Sequence, residues 1–120
     1  MHRCILINRW WLADSLLEKY IRQTACLDLI WAGAYSDEAL EILQSNDYDL
    51  VFASLPSPDQ IISEGVLSEL RRQQSLILTS SYPEYLFSAY DLTPIIFLKE
   101  PFAIVNLKLA IEKYIKDSRK

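Results

Sequence analysis

The side chains in this sequence that could carry chemistry are few and widely spaced. His2 is the only histidine, and Cys4 and Cys26 are the only cysteines, so a metal site has no cluster of ligands to draw on. Cys4 lies in an apolar run and Cys26 follows a helix-like segment, so both read as buried, reduced thiols rather than a disulfide. Ser54 has no neighbouring His or free carboxylate to activate it, which leaves a loop hydroxyl rather than a nucleophile. A phosphate cradle is also missing, because Asn8-Arg9-Trp10-Trp11-Leu12-Ala13 contains no Gly, Ser or Thr. What remains is a set of polar residues at or just after the ends of apolar runs: Asn8, Arg9, Ser54, Ser80, Lys99 and Glu100. Whether they meet depends on the elements that carry them.

Those elements alternate between two periodicities. Short continuous apolar runs at Cys4–Ile7, Leu27–Ala32, Asp49–Ala53, Leu76–Thr79 and Ile95–Leu98 predict five strands. Between them, three- and four-residue spacing predicts helices over Trp11–Thr24, from Ser36 as N-cap through Leu43, over about Gln60–Gln73, over Pro83–Asp91, and after Pro101 to near Asp117. Gly33 reads as the stop of the second strand, and Leu55-Pro56-Ser57-Pro58-Asp59 as a breaker-rich loop. In the last helix Ile104, Leu107, Ile111 and Tyr114 form one stripe, which turns Lys108, Glu112 and Lys113 outward. Strands without polar alternation must be buried on both faces, so the expected architecture is α/β, a central five-stranded parallel sheet between helical layers. Any site belongs at the carboxyl ends of the strands, where the residues named above fall.

Composition narrows the function classes. The chain has 120 residues, 51% hydrophobic, with a formal net charge of −4, the balance of twelve Lys and Arg against sixteen Asp and Glu. That length predicts a single domain over 1–120 with its own core. Apart from the short tail Lys116, Arg119, Lys120 there is no basic cluster, which argues against direct nucleic-acid binding by this segment. No apolar stretch is long enough to span a bilayer, and no signal-peptide pattern opens the chain, so a cytoplasmic protein without a membrane role is expected.

Several strings resemble a response-regulator receiver domain of the CheY-like kind: Cys4-Ile5-Leu6-Ile7, Asp49-Leu50-Val51-Phe52, Thr79-Ser80-Ser81-Tyr82 with Glu84-Tyr85, and Pro101-Phe102. The segment from Thr79 to Phe102 is most similar to receivers that precede LytTR-type DNA-binding domains. The resemblance implies a three-layer (βα)5 flavodoxin-like sandwich with strand order 2-1-3-4-5, and a role in two-component signal transduction. It also implies a phosphorylation pocket with two acidic magnesium ligands, a phosphoacceptor aspartate, a hydroxyl residue and a lysine. Carried onto this chain, those positions are Asn8 and Arg9, Ser54, Ser80 and Glu100, with Lys99 displaced by one residue. Only Ser80 keeps the family's chemistry, so the pocket reads as degenerate: no catalytic residue, no metal and no cofactor.

The resulting expectation is a pseudo-receiver that is not an enzyme and acts through protein contacts, as a homodimer or on a protein partner, with a possible C-terminal DNA-binding output domain outside this chain. The alternatives weighed beside it are a flavodoxin-like cofactor-binding or small enzyme domain of the same fold, and a receiver that keeps weak phosphorylation elsewhere in the pocket. The resemblance places the interaction face on the fourth helix, fifth strand and fifth helix, with Tyr85, Tyr90, Phe97, Lys99, Lys108 and Glu112 in it. Four aromatics, Tyr82, Tyr85, Phe87 and Tyr90, crowd the fourth helix, more than it can bury. An ion pair or water-bridged contact between Arg9 and Glu100 is expected across the emptied pocket, and one of Trp10 and Trp11 is expected to lie partly exposed over it.

Overall fold

Continuous apolar runs make strands that need cover on both faces, and the amphipathic segments between them supply it. The computed structural model describes residues 2–8 and 16–118. In chain order these are β1 (His2–Asn8), α1 (Leu16–Arg22), β2 (Leu27–Ala34), α2 (Asp37–Ser45), β3 (Leu50–Ser54), α3 (Glu64–Arg71), β4 (Leu76–Ser80), a 3₁₀ helix (Glu84–Tyr90), β5 (Ile96–Lys99) and α4 (Ile104–Ser118). The strands form one parallel sheet in the order β2-β1-β3-β4-β5. The expected α/β class and strand order are both observed.

Alternation along each strand divides the core in two. On one side of the sheet Ile5, Ile7, Val51, Ala53 and Leu78 pack with Ala39 and Leu43 of α2, with Val66, Leu67 and Leu70 of α3, and with Phe87 of the 3₁₀ helix. On the other side Cys4, Leu6, Leu50, Phe52 and Ile77 pack with Leu17 and Ile21 of α1 and with Leu107, Ala110, Ile111 and Tyr114 of α4. Burial on both faces holds for Cys4–Asn8 and for all of β3 and β4. The edge strands β2 and β5 are only half covered.

Several boundaries differ from the sequence expectation for identifiable reasons. Gly33 does not stop β2; it lies inside the strand, opposite Ile7. Its hydrogen makes room for the Trp31 ring, since a Cβ there would stand 2.6 Å from that ring. Trp31 Nε1 in turn donates to Glu38 Oε1 at 2.8 Å. Ser36 caps α2 as expected, its Oγ accepting from Ala39 N at 3.2 Å. The third helix starts at Glu64 rather than Gln60, because Ser63 is its cap and accepts from Val66 N at 3.3 Å. The segment after Pro83 winds as a 3₁₀ helix, closed by Asp91 at φ 54°. Cys4 is buried as expected, whereas Cys26 is only half-buried, and neither is bonded to the other. Of the first helix, Trp11 and Leu12 lie outside the described residues, as does Trp10.

Candidate functional site: polar residues at the carboxyl ends of the strands

Parallel register brings the ends of β1, β3 and β4 side by side. Asn8 ends β1, Ser54 ends β3, and Ser80 ends β4; all three are buried. Register pairs Ser54 with Thr79 and Ser80 with Lys99, without a bulge in either ladder. Alternation then puts Ser54 on the same side of the sheet as Phe52, facing α1 and α4, and Ser80 on the side of Leu78, facing the 3₁₀ helix. Ser80 Oγ is engaged locally, accepting from Tyr82 N at 2.9 Å. The backbone around the pair is tied down as well: Leu55 N donates to Thr79 O at 2.8 Å, and the Tyr35 hydroxyl donates to Ser54 O at 3.1 Å.

Glu100 follows β5, its N–H donating to Ser80 O at 2.7 Å, and its peptide bond to Pro101 is cis. The side chain borders a cleft of about 300 Å³ shared with Leu16, Leu17, Ser81, Pro101 and Phe102. Glu100 is the one ionisable residue of that lining among the described residues. Lys99 is exposed at the end of an unbulged strand, on the face of Phe97 rather than of Leu98. Asn8 supplies a neutral amide where magnesium would require a carboxylate. Among the described residues no group of His, Cys, Asp and Glu could hold a metal ion. Arg9 lies outside the described residues, and with it the expected pair with Glu100.

Sequence reasoning missed Thr79. It is fully buried, beside Ser54 in the ladder, and its Oγ1 has no hydrogen-bond partner among the described residues. An unmade bond of this kind costs about 1–3 kcal/mol. The signal was present in β4, where the apolar run Leu76–Leu78 passes directly into the hydroxyls of Thr79 and Ser80, but only the register shows what Thr79 sits beside.

The expected interaction face is brought together in part. Tyr85 is 74% exposed on the 3₁₀ helix, flanked by exposed Leu86 and Tyr82. Phe87 is buried and Tyr90 half-buried, with ring centroids 5.8 Å apart, and Phe97 packs beneath them, 6.2 Å from Phe87. Two of the four crowded aromatics therefore serve the core and two face outward. Lys108 and Glu112 are exposed, yet they lie on the shoulder of α4 that faces Ala25 and Cys26. Lys113 occupies the opposite shoulder, where its Nζ donates to Ile95 O at 2.9 Å. The face expected as one surface is thus two, separated by the crest of α4.

A five-stranded parallel sheet of order 2-1-3-4-5 with a polar pocket at its carboxyl edge is the architecture of receiver domains, and the comparisons with known proteins agree. No protein-family model matches the chain. A sensory transduction protein LytT of Bacillus anthracis is similar at 21% identity over 121 residues, covering 99% of this chain and 49% of that protein. The chain therefore spans about half the length of this curated relative. Among solved structures, the receiver domain of a modulated diguanylate cyclase from Desulfovibrio desulfuricans superposes with a TM-score of 0.76 at 15% identity, covering 99% of this chain and 97% of that one. The receiver domain of a sensor histidine kinase from Pseudomonas aeruginosa, with magnesium coordinated in its active-site cleft, gives a TM-score of 0.73 at 14% identity over 96% and 98% of the two chains. The fold of this chain is the receiver fold.

Proposed function

We propose that this domain is a two-component-type signalling module that keeps the receiver fold, has lost phosphoryl chemistry, and acts through protein contacts. The observation that carries the proposal is the set Asn8, Ser54 and Glu100 at the strand ends, a neutral amide, a hydroxyl and a carboxylate. A transferable phosphoryl group needs a carboxylate acceptor, carboxylates for the divalent cation and a cation to hold the product. On this reading the domain is not an enzyme and takes no metal or cofactor. The aromatic surface of Tyr85 and Leu86 is the face offered to a protein partner, with exposed Lys99 of β5 as a further candidate contact, since exposed aromatics contribute disproportionately to such contacts. The chain's span of about half its LytT relative supports a further output domain in the complete protein, DNA-binding in the reading favoured here. The module is cytoplasmic, a compartment in which free thiols such as Cys4 and Cys26 persist. Among the described residues no helix is long and apolar enough to cross a membrane.

The test is intact-mass analysis after incubation with acetyl phosphate and magnesium. We expect no added phosphate, and the same result for Ser54→Asp alone, because Asn8 and Glu100 still oppose magnesium and phosphate. A stable adduct on the unaltered chain, mapped to this pocket, overturns the proposal.

A further inference from the structure

The two edges of the sheet are not alike. β5 is four residues long, lies between Pro94 and Pro101 and ends on Lys99, all devices by which an edge strand resists further pairing. β2 has eight residues and contains no Lys, Arg or Pro. No residue of it from Asp28 to Ala34 is buried, and no strand lies on its outer side among the described residues. Such an edge presents unpaired backbone N–H and C=O groups to any extended segment laid beside it. One residue interrupts the ladder to β1: Cys4 pairs with Leu29 and Ile5 with Trp31, which leaves Ile30 as a bulge, 43% exposed. Beyond it Trp31–Ala34 runs in unbroken register, and Ala32, Gly33 and Ala34 have no bulk to keep a second backbone away.

Charge says what that segment must carry. Between Arg22 and Arg71 the sequence has no Lys or Arg, so β2 and α2 hold only acidic charges, Asp28, Asp37, Glu38 and Glu41. Leu27 and Leu29 face the α1–α4 layer, which turns Asp28 toward the α2 side. On α2, Leu40 lies against Gly65 of α3, and the shoulder away from it carries Glu38, whose carboxylate reaches Trp31 of β2, with Glu41 one turn further on. Asp28 and Glu41 have no ion-pair partner among the described residues. On the α1 side Glu18 and Arg22 neutralise each other at 3.1 Å, so the acidic field along this edge is one-sided.

The geometry points to the β2 edge as a strand-addition site whose occupant is an extended basic segment of another protein, with Lys or Arg at alternate positions. The period of two along the added strand turns those side chains to the α2 side, over Asp28 and Glu41, while its backbone pairs with β2. Backbone pairing supplies the attachment, and the alternating charge selects the partner. This surface goes beyond the proposed function and is independent of it, because neither the strand-end residues Ser54 and Glu100 nor the Tyr85 face takes part.

A synthetic peptide of alternating Lys and Val, blocked at both ends, is the probe. Its binding to the unaltered chain is measured by titration calorimetry and by amide hydrogen exchange, and circular dichroism confirms that each protein variant is folded. We expect binding that protects β2 amides and that weakens about tenfold or more in the double variant Asp28→Lys, Glu41→Lys. Binding should be lost when Glu replaces each Lys of the peptide, or when Pro replaces its central Val residues and removes their donors. No binding even at millimolar peptide overturns the inference, as does equal binding to the double variant. Binding that survives in the proline peptide, or that leaves β2 exchanging freely, shows attachment to the acidic helix without strand addition and overturns it too. Protection of β2 that grows with protein concentration in the absence of peptide assigns the edge to a second copy and overturns it equally. None of these readouts depends on acetyl phosphate, so a phosphate adduct would sink the proposed function and leave this result standing.

Discussion

Cys4 shows how far one residue's surroundings set its chemistry. It is fully buried in β1 between Leu6 and the α1–α4 layer, and burial, with Asp28 and Cys26 adding in the same direction, pushes its thiol up to about 12 from the ordinary 9.0. The folded state therefore holds this proton more tightly than the unfolded chain. The stability it represents is complete below about pH 9 and is lost as pH rises toward about 12. Burial also raises the Tyr48 and Tyr114 hydroxyls above their usual 10.0, so they act in the same sense. Urea midpoints should fall from about pH 9 upward, with a slope approaching about 1.4 kcal/mol per pH unit for each proton by which the two states differ. Cys4→Ala should flatten the first part of that fall while lowering stability at neutral pH through lost packing. A midpoint that stays constant to about pH 11 would contradict the argument.

At the scale of elements, the two helices on one face of the sheet are started by the same device. Ser36 and Ser63 both have extended backbones and accept from the N–H three residues on, Ala39 and Val66. Each also precedes acidic residues in the first turn, Asp37 and Glu38 in α2 and Glu64 in α3, which suits the helix dipole. Replacing either serine by alanine should cost about 1 kcal/mol, and because the two caps are separate structures the double variant should lose the sum, read as a shift in urea midpoint. The 3₁₀ helix has no such cap: Pro83 offers no side-chain oxygen, and no side-chain bond is made there. Seven residues is long for 3₁₀ winding, and this element sits over the cavity that Leu78, Phe87, Leu92, Pro94 and Phe97 line. Local propensity read from the sequence favours a helix after Pro83; in the fold Tyr90 packs on Phe87 and Phe87 on Phe97.

For the whole molecule, the decisive feature is that two half-cores share one sheet. Phe52 belongs to the layer with α1 and α4, and Leu43 to the layer with α2 and α3, yet β1, β3 and β4 contribute to both. Neither layer has a sheet face without the other. Phe52→Ala should cost about 3–5 kcal/mol and Leu43→Ala about 2–5 kcal/mol. Both should lower a single transition seen identically by tryptophan fluorescence and circular dichroism. Two separated transitions in either variant would show that the layers unfold independently.

The sequence by itself determined the α/β class and the strands, and the reason is local. A strand buried on both faces must be a continuous apolar run, as Cys4–Ile7 and Leu50–Ala53 are, and a parallel sheet puts the residues at the ends of such runs together. Asn8, Ser54 and Glu100 could therefore be placed at the carboxyl edge of the sheet before any coordinates, while the chemistry expected there came from the receiver resemblance. Tertiary structure alone decided which faces those residues share. The side on which Ser80 stands apart from Ser54, the orphaned hydroxyl of Thr79 and the Trp31 ring over Gly33 all follow from register and from edge position, which depend on pairings between distant segments. The same is true of α4: its apolar stripe is legible at helical spacing, but the neighbours of its two shoulders, Ala25 and Cys26 on one and Ile95 on the other, are set by how the helix docks on the sheet.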